Sequence, residues 1–142
     1  MAETRVSYDT IIDGDPEAVF WLVSDIGRWP ALFPHVRSVK PLGGDGVEVA
    51  LSWRMLPFRL RCSQTTFPET SQVEQRFQGR AGLQVVCRWT VRATPDGRTH
   101  LMVEARSALG PGLVLRTVTN DLIEQTLAMI RLLAESDRKA HP

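Results

Sequence analysis

The chain is poor in the features that mark most catalytic and nucleic-acid-binding domains. It has two cysteines, Cys62 and Cys87, both in strand-like runs, which excludes a disulfide framework and leads us to expect buried thiols in a reducing cytoplasm. The three histidines, His35, His100 and His141, have no metal-ligand spacing, so no metal is expected. A glycine-rich phosphate loop and a Gly-x-Ser-x-Gly elbow are both missing, and no cofactor is expected. No apolar run approaches the length of a membrane span, and residues 1–10 lack the apolar core of a signal peptide. The formal net charge is +1. Basic residues occur as pairs (Arg37 and Lys40, Arg59 and Arg61, Arg88 and Arg92) rather than as a stripe, so nucleic acid is not an expected partner.

What remains is an apolar chain with regular patterning. Its 142 residues, 43% hydrophobic and 23% charged, suit a single domain over 1–142 with a sizeable core, the tail over 136–142 fraying. Residues 6–12 read as a strand. Asp15 is placed to cap a short helix over 16–24, with Pro16 at its first position and Val19, Phe20, Leu22 and Val23 at helical spacing. Trp21 is expected to pack this helix on the sheet, and residues 26–32 form a second short helix or turn interrupted by Gly27 and Pro30.

Six strand-like runs follow. Val47, Val49, Leu51 and Trp53 alternate strictly with polar or small residues after the turn at 43–46. Leu83, Val85, Cys87, Trp89 and Val91 share one face of a later run. The Gly110-Pro111-Gly112 segment then releases a long helix over about 113–139, whose apolar face (Leu115, Val118, Leu122, Thr126, Met129, Leu133) is widened by Ile123, Leu127, Ile130 and Ala134. The order is β-α-α, six strands, α, hence an α+β fold with an antiparallel sheet of about seven strands and one helix to cover it. A sheet curved around a single helix leaves a gap, and a gap walled by Trp and Phe suits an apolar ligand.

Which charges enter that gap depends on one turn. A three-residue loop at Pro95-Asp96-Gly97 pairs Trp89 with Val103 and Cys87 with Ala105 inside, and Arg88 with Glu104 outside. A two- or four-residue loop would instead turn Glu104 and Arg106 toward the helix, burying ions that need partners or a polar ligand. Phe58, Leu60 and Cys62 alternate with Arg59, Arg61 and Ser63, and a bulge near Pro57 would invert that strand too. His35, in a loop after Pro34, is expected at the surface, or as a polar group at the cavity mouth.

The segment at 15–34, DPEAVFWLVSDIGRWPALFP, together with the first strand and the last helix, resembles the helix-grip superfamily. That superfamily includes the START-related lipid-binding domains, the birch-pollen-allergen-like proteins, the polyketide cyclase/dehydrase family and the coenzyme-Q-binding proteins. The resemblance covers nearly the whole chain and implies a deep cavity between sheet and C-terminal helix. It also implies that Trp29 and Phe33, which match an aromatic pair of the aromatase/cyclase branch, line the cavity together with Trp89. That branch carries an Arg near a Ser; Ser63 matches the Ser, while Thr65 stands where the Arg would be. Arg61 substitutes only if its strand is inverted.

The expected ligand-binding residues are therefore Trp29, Phe33, Trp53, Phe77, Trp89, Leu122 and Met129, with Arg61, Ser63, Glu104 and Arg106 as candidate polar cavity groups and no catalytic residue assigned. The expected partner is a small hydrophobic molecule (a lipid, an isoprenoid quinone or a polyketide-like aromatic) held in the cavity, with the 29–33 segment and the Leu113 end of the last helix as gate. The alternatives are an aromatase/cyclase or dehydratase working in the same cavity, and a module that docks a protein partner on its outer sheet face or an edge strand.

Overall fold

A computed structural model describes residues 4–44, 46–107 and 112–140; Asp45, Gly110, Pro111, His141 and the side chains of Leu113 and Leu115 lie outside that description. The elements run β1 (Thr4–Ile12), α1 (Pro16–Ser24), a 3-10 turn (Ile26–Arg28), α2 (Trp29–Leu32), β2 (Val36–Pro41), β3 (Val47–Trp53), β4 (Leu56–Phe67), β5 (Gln72–Gln78), β6 (Gln84–Ala93), β7 (Thr99–Ser107) and α3 (Gly112–Ala140). All seven strands form one antiparallel sheet in the order β1-β7-β6-β5-β4-β3-β2. The first and last strands are neighbours, which brings the start of the chain beside the strand that feeds α3. The α3 helix lies across the concave face, and the core between them contains Val49, Val73, Leu101, Val103, Ile123 and Ile130. No helix among the described residues is long and apolar enough to cross a membrane.

Local chemistry explains most of these elements. Pro16 opens α1 after Asp15, whose extended backbone (φ −73°, ψ 132°) suits the cap position. The Asp15 side chain makes no capping hydrogen bond, so it caps by conformation alone, contrary to a side-chain role. Val19 and Val23, four residues apart, form the buried stripe of α1. Trp21 lies two positions from each, on the opposite side, and is 61% exposed; the expectation that it packs on the sheet is corrected by the helical period.

The β6–β7 turn sets the inside and outside of the sheet. Thr94 N–H donates to the Arg98 carbonyl at 2.8 Å and Gly97 N–H to the Thr94 carbonyl at 3.1 Å, closing a three-residue loop with Gly97 at φ +83°. Trp89 therefore faces Val103, Cys87 faces Ala105, and Arg88 faces Glu104. No bulge interrupts β4, so Phe58, Leu60 and Cys62 face α3, and Arg59, Arg61 and Ser63 face outward. The outer face carries charge pairs: Glu74 bonds Arg88 at 2.7 Å and Arg76 at 3.2 Å, and Glu48 approaches Arg59 at 3.5 Å. Their hydrogen bonds, that to Arg88 foremost, hold the Glu74 carboxyl below the usual glutamate range.

The far end of α3 is pinned to the β1–α1 turn. Asp13 N–H donates to Glu135 Oε2 at 3.0 Å, and the Thr99 hydroxyl donates to the Gly14 carbonyl at 2.7 Å. A methyl group on Gly14 would meet Ala134 Cβ at 3.1 Å and the Ala134 carbonyl oxygen at 3.3 Å, so a side chain there would crowd α3 unless the helix gave way by a few tenths of an ångström. Gly14→Ala should cost about 1–3 kcal/mol by overpacking, read as a lower urea midpoint. Gly43→Ala, where the same methyl meets nothing within 4 Å, should be close to neutral; equal effects at both sites would show that α3 is not held at this point.

Candidate ligand-binding site

A cavity of about 450 Å³ lies between α3 and the inner faces of β3 to β6, open on one side. This volume is within the range of small-molecule sites. Aromatic and aliphatic side chains make most of its wall: Trp29 from α2, Trp53 from β3, Phe58 and Leu60 from β4, Phe77 from β5, Val85 and Trp89 from β6, and Leu122 and Ile123 from α3. The cavity exists because seven strands present more apolar surface than one helix covers.

The wall is held in place by the end of α1. The last four carbonyls of a helix lack partners inside it and must find them elsewhere. Here all four are satisfied. Asp25 N–H donates to the Trp21 carbonyl at 2.9 Å. The Trp29 indole N–H donates to the Leu22 carbonyl at 3.1 Å. Gln75 Nε2 donates to the Val23 carbonyl at 3.1 Å, and Gln64 Nε2 to the Ser24 carbonyl at 2.6 Å. The second Gln75 amide proton goes to Gln64 Oε1 at 2.9 Å, and Gln75 Oε1 accepts from the Trp89 indole at 3.0 Å. Gln75 is 0% exposed with every polar atom engaged, and it fixes the Trp89 ring while the Leu22 carbonyl fixes that of Trp29. Strand alternation signalled that Gln75 points inward; its role as the anchor of α1 depends on a contact 52 residues distant in sequence.

His35 is the second polar group on the wall. It is 8% exposed, which corrects the expectation of a surface histidine: β2 starts immediately after it, and Ser52 N–H holds its carbonyl at 2.9 Å. Its ring lies 5.9 Å from Phe33, and its Nε2 is 3.0 Å from the Thr126 hydroxyl on α3. Burial pushes its pKa below the ordinary imidazole value. Burial also drives the Cys62 and Cys87 thiols up to about 12, so neither is a nucleophile.

The β3–β4 hairpin contributes Trp53 and Leu56 to the wall. Its two-residue turn, Arg54–Met55, has φ of 48° and 68° without a glycine, a conformation that costs of order 1–3 kcal/mol per residue. Two contacts to α3 hold it: the Trp53 indole donates to Asp121 Oδ2 at 2.9 Å, and Arg54 lies 3.5 Å from the same oxygen. The Arg54 guanidinium also stacks 4.9 Å above the Trp53 ring. Met55 at the tip is 91% exposed.

Of the expected ligand-binding residues, Trp29, Trp53, Phe77, Trp89 and Leu122 come together on the wall. Phe33, fully buried, stacks edge-on against Trp29 at 5.7 Å, and Met129 packs against the core; neither is on the wall. The four candidate polar groups are not on it either. Arg61 and Ser63 are exposed on the outer face of β4, and Glu104 and Arg106 pair with each other at 3.8 Å on the outer face of β7. The three-residue turn and the unbroken β4 are the physical reason. Arg80, exposed at the rim, is the one charged side chain on the wall among the described residues.

A long helix gripped by a curved antiparallel sheet around an apolar cavity defines the helix-grip class. Residues 3–135 match the family described as polyketide cyclase/dehydrase and lipid transport, and the chain belongs to that family. A START superfamily protein from Mycobacterium smegmatis superimposes with a TM-score of 0.79 at 14% identity, over 93% of this chain and 97% of that one. The Zhui aromatase/cyclase from Streptomyces sp. R1128 gives 0.83 at 13% identity over 94% of each chain. Norcoclaurine synthase from Thalictrum flavum gives 0.76 at 12%, over 96% of this chain and 97% of that one. At these identities the likeness is one of fold. No curated protein matches the sequence.

Two measurements test the site. Gln75→Leu leaves the Val23 and Gln64 oxygens and the Trp89 indole without partners and should cost about 2–4 kcal/mol in urea unfolding; Trp89→Phe in the same chain should recover part of the loss. A loss under about 0.5 kcal/mol would show that the relay does not hold the wall. Second, because the folded pKa of His35 lies below 6.5, acidification protonates the unfolded chain first. This stabilising contribution should be complete above about pH 6.5 and fall as pH drops toward the folded pKa. In His35→Phe that part of the slope should flatten; an unchanged slope would assign it to other groups.

Proposed function

We propose that this protein binds and sequesters a small hydrophobic molecule between its sheet and α3. The observation that carries the reading is the composition of the wall: it is apolar and aromatic, its amide and indole groups are engaged within the chain, and no ion sits on it inside the rim. A lipid, an isoprenoid quinone or a polyketide-like aromatic fits such a surface. Affinity would come mainly from apolar burial, about 25 cal/mol per Å² before ordering costs. Water exclusion follows from the same burial, so the ligand would be shielded while bound. Loosening of the Trp53–Asp121 contact would open the mouth. Two free, buried thiols fit a reducing compartment such as the cytoplasm.

Ring closure or dehydration in the same cavity is the weaker reading. It needs a group on the wall that moves protons or polarises a carbonyl; the four polar residues expected for that work face outward, which leaves His35, paired with Thr126, as the titratable group inside the rim among the described residues. An interior of this kind favours carriage over turnover.

Native mass spectrometry of the full chain purified from its own host, followed by solvent extraction, tests the proposal. A stoichiometric apolar adduct is expected, released by extraction. Leu122→Trp, which fills the cavity from α3, should abolish the adduct while leaving the circular dichroism spectrum unchanged. Absence of any adduct, together with no binding of added cis-parinaric acid, would overturn carriage.

A further inference from the structure

We propose that the ligand carries a hydroxyl donor, alcoholic, phenolic or enolic, which His35 Nδ1 accepts; this rests on the cavity being the ligand site. The argument runs from the Thr126 hydroxyl. Its oxygen is 2.8 Å from the Leu122 carbonyl oxygen, and two oxygens at that separation need a proton between them. A carbonyl has none, so the threonine donates. A hydroxyl has one proton. In its 3.0 Å contact with His35 Nε2 the Thr126 oxygen therefore accepts, and Nε2 carries the ring proton.

A neutral imidazole protonated at Nε2 has a bare acceptor at Nδ1. Among the described residues nothing donates to it. The ring is 8% exposed, lies on the cavity wall, and is held between Phe33 and Thr126 with its backbone tied to Ser52. Several neighbouring polar groups on the wall are committed: the Trp29, Trp53 and Trp89 indoles and the whole Gln75 amide bond within the chain. Nδ1 is thus an unengaged, rigid acceptor in an apolar surface. A ligand hydroxyl placed there replaces its bond to water. A ligand carbonyl or ether oxygen would set lone pair against lone pair and lose its hydration with no return. The site selects for a donor.

Isothermal titration calorimetry with 2-naphthol and 2-methoxynaphthalene, which differ in that donor, tests this on the full chain. The wild-type protein should bind 2-naphthol about tenfold more tightly, the size of one net hydrogen bond. In His35→Phe, which keeps a ring against Phe33, the preference should vanish or reverse. Equal affinities in the wild type, or a preference that survives in His35→Phe, would overturn the donor inference and leave the cavity standing. If neither compound binds the wild type, the cavity reading falls with it. Should His35→Phe not fold, ring ¹⁵N spectra of the wild type decide: the Nδ1 resonance of His35 should shift with 2-naphthol and stay fixed with the ether, and a fixed resonance in saturating 2-naphthol would overturn the assignment.

Discussion

The end of α1 is the constraint on which the cavity depends. Four carbonyl oxygens emerge there into a region that water does not reach freely, and leaving any of them bare would cost about 1–3 kcal/mol. The chain answers with one backbone amide and three side chains, Trp29, Gln75 and Gln64, drawn from α2, β5 and β4. Because Gln75 also accepts from Trp89, the same atoms that terminate α1 orient the aromatic wall. A helix end and a binding surface are thus one hydrogen-bonded unit, and neither can shift without unpairing the other.

Geometry makes the void. Seven strands at about 4.8 Å spacing span roughly 29 Å, whereas a helix with its side chains is about 10–12 Å across. The α3 helix makes its close backbone approach to β1 and α1, α1 packs on β5, β6 and β7, and α2 packs on β2. The space between the middle strands and the first half of α3 is left unfilled. The β3–β4 hairpin reaches α3 beside this space. There a turn without glycine is held in a left-handed conformation by contacts of Trp53 and Arg54 to Asp121.

Membership of the polyketide cyclase/dehydrase and lipid transport family accords with the architecture, and that fold serves carriers and enzymes alike. What separates the two is the polarity of the wall. In this chain the charged side chains of the central strands form pairs on the outer face, among them Glu74 with Arg76 and Arg88. The inward positions keep the His35 imidazole, the threonine hydroxyls of α3 and the mutually bonded amides of Gln64 and Gln75. Such a division suits recognition by burial and one directed hydrogen bond.

Periodicity alone determined the element order, the antiparallel sheet and the single long helix, because period 2 and period 3.6 leave different marks in the sequence. The Pro95-Asp96-Gly97 loop offered a three-residue closure with a left-handed glycine at its third position beside two- and four-residue alternatives, and the structure takes the first. From that closure the interior positions of Trp89 and the outward positions of Glu104 and Arg106 follow. Tertiary structure decided the rest. Whether His35 is a surface loop residue or a wall residue depends on Thr126, 91 positions away, and nothing local to Pro34 or Val36 encodes it. Gln75 reads as one more polar residue in a strand until the carbonyls of α1 come within reach. Phe33 and Met129 differ from Trp29 and Leu122 in which side of the wall they occupy, a distinction of a few ångströms set by packing against neighbours remote in sequence. Hydrophobic pattern reports which face a residue takes; only the assembled fold reports what stands opposite it.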